Sequence, residues 1–262
     1  MSQLKERLHD IEKNGYQLDF GNVFNHAFEN YKKIALYAGL VLFVFMTLFG
    51  ILISGSIISV IGVTAMTQEL SPEKFKIENL SESSILIFGV ISIILTCILS
   101  PFQAGFLKMA DCGDRDEEFH IATFFSYYKL PYLKEIIVSS ALIASISFAQ
   151  ATLFSFMKVD FIGTITTYFI SFITLLSIPL IIFGNLKAID AIKHSIMIVL
   201  KQPFVLLGLM VVAIIGAMVG LLGCCIGVFF TLPFLYSMNY AIYSAIVGID
   251  SQDKIDENNF IL

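Results

Sequence analysis

Apolar residues run along this chain in long blocks broken by short polar stretches. A helix needs about 20 mainly apolar residues to cross a bilayer. Six blocks reach that length, at 34–63, 84–107, 136–157, 161–186, 204–222 and 226–248. Between Gln202 and Ile249 there is no Asp, Glu, Lys, Arg or His. The pattern predicts an all-α, polytopic integral membrane protein with six transmembrane helices. The first block is longer than a bilayer requires, and Ser54-Gly55 inside it is where the helix could bend or leave the bilayer. A block apolar on every face has no periodicity to decide this.

Three flanking segments do show helical periodicity. Over 20–31, Phe20, Val23, Phe24, Ala27, Phe28 and Tyr31 share one face, away from Asn22, Asn25, His26, Glu29 and Asn30. Over 118–134, Ile121, Phe124, Phe125 and Tyr128 form an aromatic stripe that Pro131 ends or bends. Over 187–201, Ile189, Ile192, Ile196 and Val199 oppose Lys187, Asp190, Lys193, His194 and Lys201. Each reads as an amphipathic interfacial helix with its apolar side in the acyl boundary. The other reading is an extension of a spanning helix packed on a neighbour.

Together these pieces predict three repeats of an amphipathic interfacial helix plus a transmembrane hairpin, at about 16–110, 117–186 and 187–248. The repeats fill a single membrane domain, 16–248, between a polar N-terminal segment (1–15) and an acidic C-terminal tail (249–262). Each returning helix carries a proline after a hydroxyl residue: Ser100-Pro101, Ser177-Ile178-Pro179 and Thr231-Leu232-Pro233. Asn185 and Asn239 each lie six residues beyond their proline, and Gln103 is the nearest polar counterpart in the first unit. Pro101, Gln103, Pro179, Asn185, Pro233 and Asn239 are therefore the candidate kink and groove positions.

Composition agrees with the membrane reading. Hydrophobic residues make up 57% and charged residues 14% of the 262, with a mean hydropathy of +0.84, whereas soluble proteins are roughly a quarter charged. Basic residues then orient the helices. With the N-terminus in the cytoplasm, the internal segments hold thirteen Lys and Arg and the external ones only Lys74, Lys76 and Lys158. Both termini are thus expected inside a bacterial cytoplasmic (inner) membrane. Residues 1–33 have no apolar core for a cleaved signal, so the first span should act as an uncleaved anchor. A dispersed net charge of -5 gives no footprint for nucleic acid.

Candidate chemistry is sparse. The central portions of the spans carry no acid or base, which argues against a proton relay or an ion-coupled transporter. Their Ser and Thr residues, with Gln103, Gln150 and Asn239, read as interhelical hydrogen bonds worth about 0.6 kcal/mol each. His9, His26, His120 and His194 sit in separate segments without HxxxH or HExxH spacing. Cys97, Cys112, Cys224 and Cys225 lack zinc spacing and read as small apolar side chains. The run DCGDRDEE at 111–118 does not match a calcium loop and reads as a solvated turn. Ser195 follows His194 directly, but helical neighbours point about 100° apart, and no GxSxG elbow is present. Gly216, Gly220, Gly223 and Gly227 give two G-x-x-x-G spacings, expected to pack helices within the chain. No catalytic, cofactor-binding or metal residue is assigned.

The third unit, AIKHSIMIVLKQPFVLLGLMVV leading into GLLGCCIGVFFTLPFLYSMNYAIYSAIVG, resembles a broad group of uncharacterised bacterial multi-pass proteins. That group includes the membrane domain attached to some glycerophosphodiester phosphodiesterases. SPFQAGFLKMADCGDRDEEFHIATFFSYYKLPYL is similar to the group's central segment. The resemblance, over 20–248, implies an architecture and no catalytic residues. The leading expectation is a non-enzymatic protein, a scaffold or accessory subunit of a membrane complex or an organiser of lipid, with membrane lipids and other subunits as partners. The alternative is a transporter or facilitator for an apolar or lipid-like substrate, with a cavity lined by Gln103, Asn185 and Asn239. A membrane enzyme would need His26, His120, Asp190 and His194 to converge.

Overall fold

A computed structural model describes residues 2–69, 82–118, 120–223 and 226–249. The described residues form helices and turns with no strand. The order is α1 (Ser2–Asn14), α2 (Phe20–Glu69), α3 (Glu82–Asp114), α4 (Ile121–Phe124), α5 (Tyr132–Phe156), α6 (Asp160–Ile173), α7 (Ser177–Ile182), α8 (Ala188–Lys201), α9 (Pro203–Met218), α10 (Ile226–Thr231) and α11 (Pro233–Ile246). Six stretches are long and apolar enough to cross a membrane: Phe20–Leu52, Ile85–Asp114, Tyr132–Phe156, Asp160–Ile182, Pro203–Gly223 and Ile226–Ile246. Their outer faces are apolar too, with Leu36, Leu48, Phe161 and Leu222 all exposed. A water-soluble bundle would put polar residues there, so this belt marks the surface that lipid covers.

The amphipathic segments are resolved in three different ways. The first is a direct continuation of the spanning helix, because α2 runs unbroken from Phe20 through Ser54-Gly55 to Glu69. Its buried seam is Val23, Ala27, Asn30, Ile34 and Ala38, with Phe20 and Phe28 exposed, because the small residues allow α2 to lie close on α11. The second is no long helix: α4 gives way to a 3₁₀ turn at Ser126–Tyr128. Phe124 enters the core, its ring 4.6 Å from Phe106 and 5.2 Å from Phe102. Gly105 makes room, since a Cβ there would fall 2.5 Å from the Phe124 carbonyl oxygen. The third is a separate helix, α8, but its buried face is Ala188, Ala191, Ser195, Ile198 and Val199. Ile189, expected on the apolar face, is exposed. Small residues decide which side packs, and the larger Ile189 is left outside.

The polar N-terminal segment is also helical. α1 buries Leu8 and Ile11, and the Arg7 guanidinium donates twice to the Ile246 carbonyl, at 3.1 and 2.8 Å. That carbonyl ends α11, where intrahelical donors run out and a cation is favoured. Lys201 donates to the Glu12 carbonyl at 2.7 Å and Tyr16 to the Ile198 carbonyl at 3.0 Å. The segments that the charge count groups on one side are therefore bonded to one another at one end of the bundle.

At the other end, the third hairpin closes on glycine. A Cβ on Gly220 would meet the Gly227 backbone at 2.5 Å, and one on Gly216 would meet the Phe234 ring at 2.7 Å. Both glycines serve packing within the chain, while a Cβ on Gly223 would have nothing within 4 Å among the described residues. Cys224, Cys225, most of the 64–83 loop and all but Ile249 of the tail lie outside the described residues.

Candidate functional site

The three prolines shape their helices differently. α3 continues through Pro101. The fourth span breaks at 174–176, three residues before Pro179, and the sixth breaks at Leu232, just before Pro233. Proline has no N–H, so each of the three leaves a carbonyl that a helix would otherwise use. Side-chain donors, most of them from other segments, take them up. The Ser100 hydroxyl donates to the Cys97 carbonyl at 3.0 Å, and Tyr128 to Ile98 at 2.9 Å. At the break before Pro179, Ser195 donates to the Ile173 carbonyl at 2.9 Å and accepts from the Leu176 amide at 3.0 Å. Asn239 donates to the Leu175 carbonyl at 3.3 Å. At the break before Pro233, Tyr31 donates to the Phe230 carbonyl at 3.1 Å.

Asn185 has another role. It lies three residues beyond α7 in the left-handed region, at φ 50°, where asparagine is among the few non-glycine residues that are comfortable. The Leu186 amide then closes back on the Leu180 carbonyl at 3.2 Å. The Asn185 side-chain oxygen accepts from the Tyr132 hydroxyl at 2.6 Å. Asn185 also lines a cleft of about 190 Å³ with Pro131, Tyr132, Glu135, Ile181, Leu186 and Lys187. Neither Gln103 nor Asn239 lines that cleft, and Gln103 is exposed. The candidate positions thus divide into helix-break contacts, one helix end and one surface residue.

The densest polar cluster lies elsewhere, where α2, α3 and α11 meet at the charged end. Asn30, 2% exposed, donates to the Ala110 carbonyl at 2.6 Å and accepts from the Ser237 hydroxyl at 2.9 Å. Asp111, 1% exposed, accepts from Lys108 at 3.1 Å and from Arg115 at 2.9 Å. The buried Tyr240 hydroxyl is shared between Asp111, at 3.3 Å, and Asp114, at 3.1 Å. Asp114 also accepts from His26 at 2.7 Å, which fixes Nε2 as the protonated nitrogen. Lys33 pairs with Asp116 at 2.7 Å on the rim. Burial works against the Arg115 charge, but the Asp111 carboxylate more than offsets it, so the guanidinium is held even more firmly protonated than usual. Cations and carboxylates interleave, and each carboxylate bridges two elements or two turns.

This corrects the reading of 111–118 as a solvated turn. Helix α3 extends to Asp114, and Asp111 points inward. The signal was in the register: Asp111 follows Ala104 and Leu107 at helical spacing, and all three are buried. Asn30 stands likewise in line with Val23, Ala27 and Ile34. His26 pairs with Asp114, a partner not among His120, Asp190 and His194. Among the described residues no group of three or more His, Cys, Asp or Glu could hold a metal ion. Gln150, in contrast, bonds as expected, donating from α5 to Thr167 of α6 at 2.6 Å. No protein-family model, curated protein or solved structure matches this chain.

Proposed function

We propose that the protein is a non-enzymatic component of a bacterial cytoplasmic membrane, with both termini in the cytoplasm. In this reading it acts as a scaffold or accessory subunit of a membrane complex, or it organises the lipid around it. The observation that carries the reading is where the polar side chains go. Asn30, Asp111, Ser195, Asn239 and Tyr240 are all bonded to neighbouring helices or to freed backbone. Such side chains fix a shape, and the surface they leave for interaction is the apolar belt and the charged end.

The same bonds support a threefold repeat. Tyr128 of the second unit bonds a carbonyl beside Pro101 in the unbroken helix of the first, Ser195 of the third holds the break of the second, and Tyr31 of the first holds that of the third. Each unit thus secures the one before it, and the series closes on itself. That is what three similar units in a ring would do, and it agrees with the architecture the family resemblance implies.

Two experiments test the reading. In a chain whose cysteines are replaced by Ser, Lys158→Cys should react with a membrane-impermeant maleimide on intact cells and Lys187→Cys should not; the reverse pattern overturns the orientation. For the function, gentle extraction followed by native mass spectrometry should recover a partner subunit or a retained lipid in fixed ratio to the chain. Recovery of the bare chain under those conditions overturns it.

A further inference from the structure

We propose that the cleft between α5 and the α7–α8 junction binds the headgroup of an aminophospholipid, its phosphate on Lys187 and Asn185 and its ammonium on Glu135. The cleft lies where the apolar helices α5 and α7 reach the charged end, so it sits at headgroup depth in the proposed membrane placement. Its polar groups are incompletely used. The Asn185 side-chain oxygen is taken by Tyr132, but its NH₂ has no partner among the described residues, and the Lys187 ammonium has none either. One Glu135 oxygen accepts from the Ala188 amide at 2.8 Å, which anchors the carboxylate and leaves its second oxygen for another donor.

Charge complementarity selects the occupant. One cation and one carboxylate line the cleft, so a phosphate alone would face Glu135 uncompensated. A zwitterion joining a phosphate to a primary ammonium by a short link answers both charges. The ammonium can donate to Glu135, whereas a trimethylammonium cannot. Ile181 and Leu186 form the apolar wall of the cleft.

The site rests on the membrane reading above and adds a ligand class to it. The test places the full chain in nanodiscs of equimolar phosphatidylethanolamine, phosphatidylcholine and phosphatidylglycerol, extracts it mildly and measures retained lipid by native mass spectrometry. Phosphatidylethanolamine should be retained about tenfold over phosphatidylcholine, equivalent to ~1.4 kcal/mol. Glu135→Gln keeps an acceptor for the Ala188 amide and should erase that preference. Lys187→Glu should lower retention of both zwitterionic lipids, with thermal stability unchanged in each variant. Equal retention of the two zwitterionic lipids by the unaltered chain, a phosphatidylglycerol preference, or retention unmoved by both substitutions overturns the site. Free phosphoethanolamine binding as tightly as the lipid overturns the lipid assignment. A chain that keeps a partner subunit without discriminating headgroups sinks this site alone; one that does not enter the membrane sinks the reading beneath it.

Discussion

Two buried serines allow the helix-break argument to be tested with one chemical change. Ser195 is fully buried and makes two bonds, one to the Ile173 carbonyl and one from the Leu176 amide. Ser195→Ala leaves both backbone groups buried without a partner. Pro179 lies just beyond and supplies no N–H that could repair the ladder. Each orphaned group costs about 1–3 kcal/mol, moderated in membranes, where an interhelical bond averages about 0.6 kcal/mol. The expected loss is therefore ~2–4 kcal/mol. Ser139 is the control. It is 1% exposed and its hydroxyl has no partner among the described residues. Ser139→Ala removes a polar group that is desolvated for no return, so its effect should lie between neutral and about 1 kcal/mol stabilising. The chain has no tryptophan, but Cys112 is buried, so a thiol-reactive dye followed through a thermal or SDS titration reports unfolding. If both variants unfold together with the parent chain, or if Ser139→Ala is the more damaging, the account of the break is wrong.

Other changes probe the remaining contacts. Asp111→Ala should cost about 3–5 kcal/mol, because it takes a buried carboxylate partner from both Lys108 and Arg115, and the same dye assay reads it. Gly220→Val drives a side chain into the Gly227 backbone and should destabilise by about 1–3 kcal/mol, while Gly223→Ala should leave the melting curve unmoved. Arg7→Ala removes the cap on the Ile246 carbonyl, at about 1.5–3 kcal/mol for bonds from a charged donor, and should speed hydrogen exchange in α1 before the spans are affected.

Six spans could be read from the sequence because lipid imposes a constraint on length and composition that no partner contact can relax. The side of each amphipathic segment that packs was harder to read. In α8 the buried face is Ala188, Ala191 and Ser195, while the larger Ile189 faces outward. Hydrophobicity ranks these residues wrongly, because close helix approach in a bilayer selects for small size over apolar area. Asp111 was misread for a related reason. Its neighbours Asp114, Arg115 and Asp116 look like a solvated turn, and only the register with Ala104 and Leu107 shows that the chain is still helical and the carboxylate faces inward. For Asn185, a spacing of six from a proline does not distinguish a groove position from a residue held in the left-handed region after a helix.

The helix breaks and the charged cluster share one physical origin. A proline in a span frees carbonyls that lipid cannot bond, so a donor must arrive from another segment. Tyr128, Ser195 and Tyr31 are such donors: Tyr128 and Ser195 sit on segments between the spans, and Tyr31 in the first turns of the first span. An amphipathic segment that carries a hydroxyl to a kink has to dock by the face bearing that hydroxyl, which is why Ser195 lies on the packed face of α8. The same requirement accounts for Asn30, one residue before Tyr31. Once Tyr31 reaches the Phe230 carbonyl, the start of α2 is held against α11, and Asn30 falls between Ala110 and Ser237. Asp111 and Tyr240 then meet one helical turn further out. On this argument the polar cluster follows from docking at the kinks. Substituting Tyr31 with Phe should therefore loosen the Asn30 and Tyr240 contacts together, although it touches neither residue's bond.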